Sequence, residues 1–192
     1  MPEKKQTAGR GAYEWVQALV CSVLTVVLIF TFAVRIVRVS GESMRETLQD
    51  QDMLVVLNNW LCGGYEQGDI VILQRDDFYG GEPIVKRVIA TEGQTVDIDF
   101  DAGVVYVDGT ALEEPYTREP TWTQEGTEFP LTVPEGCVFV MGDNRNDSDD
   151  SRDSALGPVD TRCVLGRALL LAVPGPTADT EQRDWSRVGI LN

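Results

Sequence analysis

The chain has 192 residues, a formal net charge of −15 and no histidine. That length suits one core plus an accessory segment rather than two large domains, and the acidity opposes a nucleic-acid partner, whose phosphates are held by clustered Lys and Arg. The missing histidine excludes Ser-His-Asp and Cys-His catalysis, and Cys21, Cys62, Cys137 and Cys163 form no CxxC pair, so neither a zinc site, another cofactor nor a disulfide is expected.

Taken in chain order, residues 1–14 carry Lys4, Lys5 and Arg10, and no charge follows from Trp15 to Val34. About 20 residues rising about 1.5 Å each span the roughly 30 Å hydrocarbon layer, so 15–34 is expected to be a transmembrane anchor in contact with the lipid bilayer. Its polar residues, Gln17, Ser22, Thr25 and Thr31, are scattered rather than gathered on one face, which argues against a buried core helix. Arg35, Ile36, Val37 and Arg38 follow it in place of a small-residue cleavage site, so the anchor is expected to stay attached. The leading basic residues favour a cytoplasmic N-terminus, with residues 35–192 outside the cell membrane.

Beyond Val39 the pattern changes to short apolar or alternating runs punctuated by Gly, Asp and Pro. Strands are predicted over 53–57, 69–73, 84–90, 95–99, 104–107, 137–141 and 164–171. Asp108-Gly109 marks a tight hairpin turn after the 104–107 strand. The fold class is therefore mainly β, an antiparallel sheet domain, with 113–133 a looser Pro- and Glu-rich excursion and 180–192 a polar tail.

Four segments can carry chemistry: 40–44, 68–71, 85–88 and 142–152. Lys86, in an alternating strand, shares a face with Ile84, Val88 and Ala90, while Val85, Arg87 and Ile89 point the other way. Desolvation on such a face lowers the pKa of an amine, and the neutral amine can then take a proton from a serine hydroxyl. The competing reading is an edge-strand lysine that blocks aggregation. Ser43 lies just past the anchor beside Gly41, whose missing side chain lets a substrate backbone approach; Ser43-Met44-Arg45-Glu46 also spells a helix capping box. Gly142 to Arg152 reads as a solvated loop, or as a platform in which aspartates and arginines pair.

The order and wording of these segments resemble the type I signal peptidase family. Its nucleophile motif reads Ser-Met-x-Pro-Thr, its base motif Lys-Arg with apolar flanks, and its late motif Gly-Asp-Asn-Arg-x-x-Ser-x-Asp-Ser-Arg, matched here in every fixed position. The resemblance implies that Ser43 attacks the scissile carbonyl and Lys86 is its general base. It also implies that Ser148 hydrogen-bonds and orients the Lys86 amine, and that Asp143, Arg145, Asp150, Arg152 and Arg87 scaffold the site by ion pairing. Substrate walls are implied at Val39, Ser40, Gly41 and Glu42 and at Pro83, Ile84 and Val85. The implied activity is removal of signal peptides from exported preproteins, with a cut after small residues in an Ala-x-Ala-like pattern. The chain departs from the family at Glu46, which stands where the family has proline, and at Gly41, where some relatives offer a serine hydroxyl to the oxyanion. Glu46 suggests a second reading, an impaired membrane-tethered β module that binds signal sequences or partner proteins without cutting. A third keeps the Ser-Lys chemistry in a self-cleaving regulator or a specialised processing peptidase.

Overall fold

A computed structural model describes residues 4–177 and 182–191; residues 180, 181 and 192 of the expected tail lie outside them. The chain divides into two units, residues 1–35 and 36–192. In the first, helix α1 (Lys4–Leu28) runs on through a π-helical turn, Ile29–Ala33. Gly11–Ala33 is long and apolar enough to cross a membrane.

The second unit is antiparallel β. Its strands are β1 (Val34–Arg38, which begins in the first unit), β2 (Met53–Asn58), β3 (Ile70–Leu73), β4 (Ile84–Thr91), β5 (Thr95–Asp99), β6 (Val104–Val107), β7 (Thr110–Ala111), β8 (Leu131–Thr132), β9 (Cys137–Met141), β10 (Val159–Asp160), β11 (Val164–Val173) and β12 (Gly189–Ile190). A short helix, α2 (Asn59–Cys62), follows β2. The larger sheet runs β1-β2-β11-β3-β4-β9-β10, with β12 paired to β11, and the smaller runs β7-β6-β5-β8. Asp108 and Gly109 both take positive φ, 51° and 76°, as a two-residue hairpin turn between right-twisted strands requires.

The expected β4 faces hold for half the strand. Ile84 and Val88 pack in one apolar cluster and Val85 in another. The register then slips between Val88 and Ala90, so that Ile89 is an extra residue opposite β9 and both Ile89 and Ala90 enter the third cluster. Ala90 therefore does not continue the Lys86 alternation. The edge-strand reading of Lys86 also fails, because β4 is hydrogen-bonded to β3 on one side and β9 on the other.

The expected tail is tied down. Leu170 pairs with Ile190 and Leu171 with Gly189. Leu191 packs on the cluster that contains Met44 and Leu48.

Candidate active site

Residues 40–52 form a loop that leaves β1 and returns into β2. Its ends are tied by the Val39 N–H, which donates to the Asp52 carbonyl (2.8 Å), and the Gln51 N–H, which donates to the Val39 carbonyl (2.9 Å). Met44 and Leu48 anchor the loop because both are apolar and fully buried, at 1% and 0% exposure. Ser43, between exposed Glu42 and buried Met44, is left half-buried. The capping-box spelling starts no helix: residues 43–47 form turns. Gly41 has φ +91°, a backbone conformation that strains any other residue.

Lys86 rises from the middle of β4, 3% exposed, and its Nζ donates to Ser43 Oγ at 2.7 Å. Burial pushes its pKa down to about 8, although the Asp150 and Asp149 carboxylates pull it back up. Glu46 is exposed, and the carboxylates that act most on the amine are Asp150, Asp149 and Glu125. Val39–Glu42 and Pro83–Val85 line one cleft together with Ser43, Lys86 and Ser148. Among the described residues, the Ser43 backbone N–H has no protein acceptor.

The 142–152 loop closes over this pair and is held by charge. Arg87 grips Asp143 with two bonds, Nε to Oδ1 (2.9 Å) and Nη2 to Oδ2 (2.8 Å), with 2% and 0% side-chain exposure. The same guanidinium donates to the Gly68 carbonyl (2.9 Å), just before β3. Arg152 grips Asp150 likewise, Nε to Oδ1 (2.9 Å) and Nη2 to Oδ2 (2.8 Å). Arg145 donates to the Gly142 carbonyl (3.1 Å) and pairs with Glu114. The loop then reaches Ser43: the Asn144 N–H donates to the Ser43 carbonyl (2.9 Å), and its Nδ2 to the Glu42 carbonyl (3.2 Å). These buried arginines need bidentate carboxylate partners, since a single bond would not offset their desolvation.

A family model described as signal peptidase, peptidase S26, matches residues 12–173. The chain belongs to this family. Among its relatives, the signal peptidase I of Bacillus licheniformis is 36% identical over 183 residues, covering 91% of this chain and 96% of that one. The probable signal peptidase I-1 of Synechocystis is 37% identical over 143 residues, 71% and 69% of the two chains. A solved signal peptidase I from Enterococcus faecalis is 35% identical, with a TM-score of 0.44 over 54% of this chain and 96% of its own.

Against the signal peptidase motif, one expected contact is different. Ser148 Oγ donates to Asp150 Oδ2 (2.9 Å) and, among the described residues, makes no hydrogen bond to the Lys86 amine. The same Asp150 Oδ2 accepts from the Gly142 N–H (2.9 Å), so the Ser148 proton is held on a carboxylate oxygen that the loop backbone fixes in place. Residues 113–130 run without a regular strand or helix as far as β8, and the segment supplies Glu114 to Arg145, Tyr116 beneath Arg87 (4.0 Å from guanidinium carbon to ring centre) and Glu125 beside Arg152 (3.6 Å). Asn146 Oδ1 fastens it by accepting from the Trp122 N–H (2.9 Å) and Thr123 N–H (3.1 Å). Burial raises the Glu125 pKa to about 7. The sequence offers only a general signal, a carboxylate-rich segment in a chain whose late motif and β4 carry three arginines, and it does not single out Glu114 or Glu125.

Gly142 offers a sharp steric test. A Cβ there would collide with Ser148 Oγ and lie 2.5 Å from the Ser43 carbonyl oxygen. Gly142→Ala is expected to lower kcat by about a hundredfold through displacement of the 40–52 loop, because misplacement of a reacting group by about 1 Å costs that much. Steady-state cleavage kinetics on a folded, unaggregated variant check it; an unchanged kcat would mean that the two loops move independently.

Proposed function

We propose that this chain removes signal peptides from exported preproteins as a single-pass membrane enzyme that acts through Ser43 and Lys86. The observation that carries the reading is the 2.7 Å contact between Lys86 Nζ and Ser43 Oγ, made by an amine whose pKa burial lowers to about 8. The anchor, Gly11–Ala33, would keep residues 36–192 at the outer membrane face, with the basic residues Lys4, Lys5 and Arg10 inside.

The substrate lies extended between Val39–Glu42 and Pro83–Val85, where backbone pairing supplies affinity and small pockets select alanine by excluding larger side chains. Neutral Lys86 takes the Ser43 proton as Oγ bonds to the scissile carbonyl carbon. The oxyanion is met by the Ser43 N–H, since Gly41 offers no hydroxyl. Collapse breaks the C–N bond, and Lys86 returns the proton to the departing amine. Water, deprotonated in turn by Lys86, then hydrolyses the acyl ester and restores Ser43. Ser148, with its proton committed to Asp150, has only lone pairs left to turn toward the Lys86 ammonium formed in each half-reaction.

The test is cleavage of a preprotein with an Ala-x-Ala site by the detergent-purified full chain, beside Ser43→Ala. The expected result is one cut after the second alanine, lost in the variant. Equal cleavage by both proteins would remove Ser43 from the mechanism, and no cleavage by either would favour the binding module.

A further inference from the structure

The family match ends at residue 173, and the segment beyond it makes contacts that the catalytic reading leaves unused. Asp52, the last residue of the nucleophile loop, is a fully buried carboxylate. It accepts from the Gln49 N–H (2.8 Å) and the Gly175 N–H (2.6 Å), but its charge is met by Arg187. Arg187 Nη1 reaches Asp52 Oδ1 at 3.0 Å and Nη2 reaches Oδ2 at 2.7 Å, a fork matched to a carboxylate. The same Nη2 donates to the Thr47 carbonyl at 3.3 Å. One guanidinium thus spans the end of the loop and its middle, four residues past Ser43.

Arg187 can act as a brace because its own position is fixed. It closes a 3₁₀ turn, Trp185–Arg187, that Asp184 caps through the Ser186 N–H (3.0 Å). Two residues later β12 pairs with β11, the Leu191 N–H donates to the Leu169 carbonyl (3.0 Å), and Leu191 packs on the cluster that buries Met44 and Leu48. On its other side the loop is held by the late motif, through Asn144 on Ser43 and Asp143 on the Thr47 hydroxyl. Thr47 therefore lies between two arginine-carboxylate pairs, its side chain on Arg87–Asp143 and its carbonyl on Arg187–Asp52.

We propose that Arg187 is a positioning residue for catalysis, which clamps the nucleophile loop from the C-terminal side so that Ser43 stays within reach of Lys86. The proposal rests on the Ser43 and Lys86 reading. Loss of the clamp frees the loop without touching the amine, so it lowers kcat and leaves both substrate affinity and the pH at which the rate rises unchanged.

The experiment compares wild type, Arg187→Ala, Arg187→Lys and Ser43→Ala as full chains in detergent on the same preprotein. With Arg187→Ala, kcat is expected to fall about tenfold or more, KM to stay within about twofold, and the midpoint of the pH–rate rise not to move. Arg187→Lys, which keeps the charge but not the fork, should recover part of kcat. A kcat equal to wild type in Arg187→Ala, a loss that follows only the unfolded fraction seen by circular dichroism, or a shifted midpoint would each overturn the proposal. Cleavage that survives Ser43→Ala would remove the catalytic reading and this clamp with it. Cleavage abolished by Ser43→Ala but untouched by Arg187→Ala removes the clamp alone.

Discussion

Lys86→Met is expected to cut kcat by about 10⁴-fold, the upper range for loss of a positioned general base, while the folded protein becomes more stable at pH 7. Both effects come from one cause. Lys86 is 3% exposed and its pKa is about 8 in the fold, against 10.5 for an unperturbed lysine. Between those values the unfolded chain binds more protons than the native one, so wild-type stability rises with pH there, and the whole cost of burying the ammonium is present below pH 8. That cost is on the order of 3 kcal/mol. The hydrogen bond to Ser43 that methionine forfeits is worth about 1 kcal/mol, so desolvation wins and the variant gains about 2 kcal/mol at pH 7.

Above pH 8 the gain shrinks, and past about pH 10.5 the lost hydrogen bond makes the variant the less stable protein. Wild-type turnover should rise tenfold per pH unit below 8, where the neutral amine is scarce, about a tenth of the total at pH 7, and level off above pH 9. Thermal unfolding at pH 7 and pH 10, with single-turnover rates from pH 6 to 10, measures both. A flat rate profile, or a variant no more stable than wild type at pH 7, would mean that the amine is not titrating in the mechanism.

What could be read in advance follows the range over which each signal acts. The β strands from 53 to 171 and the hairpin at Asp108-Gly109 are written in local alternation and turn chemistry, and the structure places them within a few residues of expectation. Strands of two residues, such as Val159–Asp160 and Gly189–Ile190, carry no period to detect and exist because a long neighbour offers them partners. The bulge at Ile89 is equally silent, since an extra residue in one strand shows only against the register of the other.

At the site, the contact between Ser43 and Lys86 was to be expected, because the absence of histidine leaves a catalytic serine to find another base and the motif order points to this lysine. The direction of the Ser148 hydroxyl was not. It depends on the tertiary placement of Asp150, which Arg152 and the Gly142 N–H hold within reach of that hydroxyl. Glu114, Glu125 and Arg187 were missed for the same reason. Each lies far along the chain from the group it meets, and a charged residue in an acidic surface segment looks the same whether it faces water or a buried partner.

That difference between an exposed and a buried charge gives the other large expected effect. Arg87→Met should destabilise the folded protein by about 3–5 kcal/mol, the cost of leaving one partner of a buried ion pair uncompensated. Asp143 would remain at 0% exposure with the Thr47 hydroxyl but without its two guanidinium bonds, and the Gly68 carbonyl and the Tyr116 ring would lose their contacts too. The control is Arg45→Ala. Its partner Glu42 sits at a similar distance, 2.9 Å, but the two side chains are 37% and 54% exposed, so water and salt screen the pair and less than about 1 kcal/mol is expected.

Replacing both partners, Arg87→Met with Asp143→Leu, should recover much of the stability but little of the activity. The apolar pair removes the stranded charge, yet it cannot hold the Thr47 hydroxyl on the 40–52 loop. Denaturant unfolding of the full chains in detergent, with cleavage rates measured alongside, tests this; a single Arg87→Met loss below about 1 kcal/mol would show that Asp143 reaches water when its partner goes, and that the pair does not fix the platform. If the double variant regains stability without turnover, the buried pair serves geometry rather than stability. Its charge then persists in a β core because a carboxylate between an arginine and a threonine fixes the loop's position in a way that apolar packing, with no preferred direction, does not.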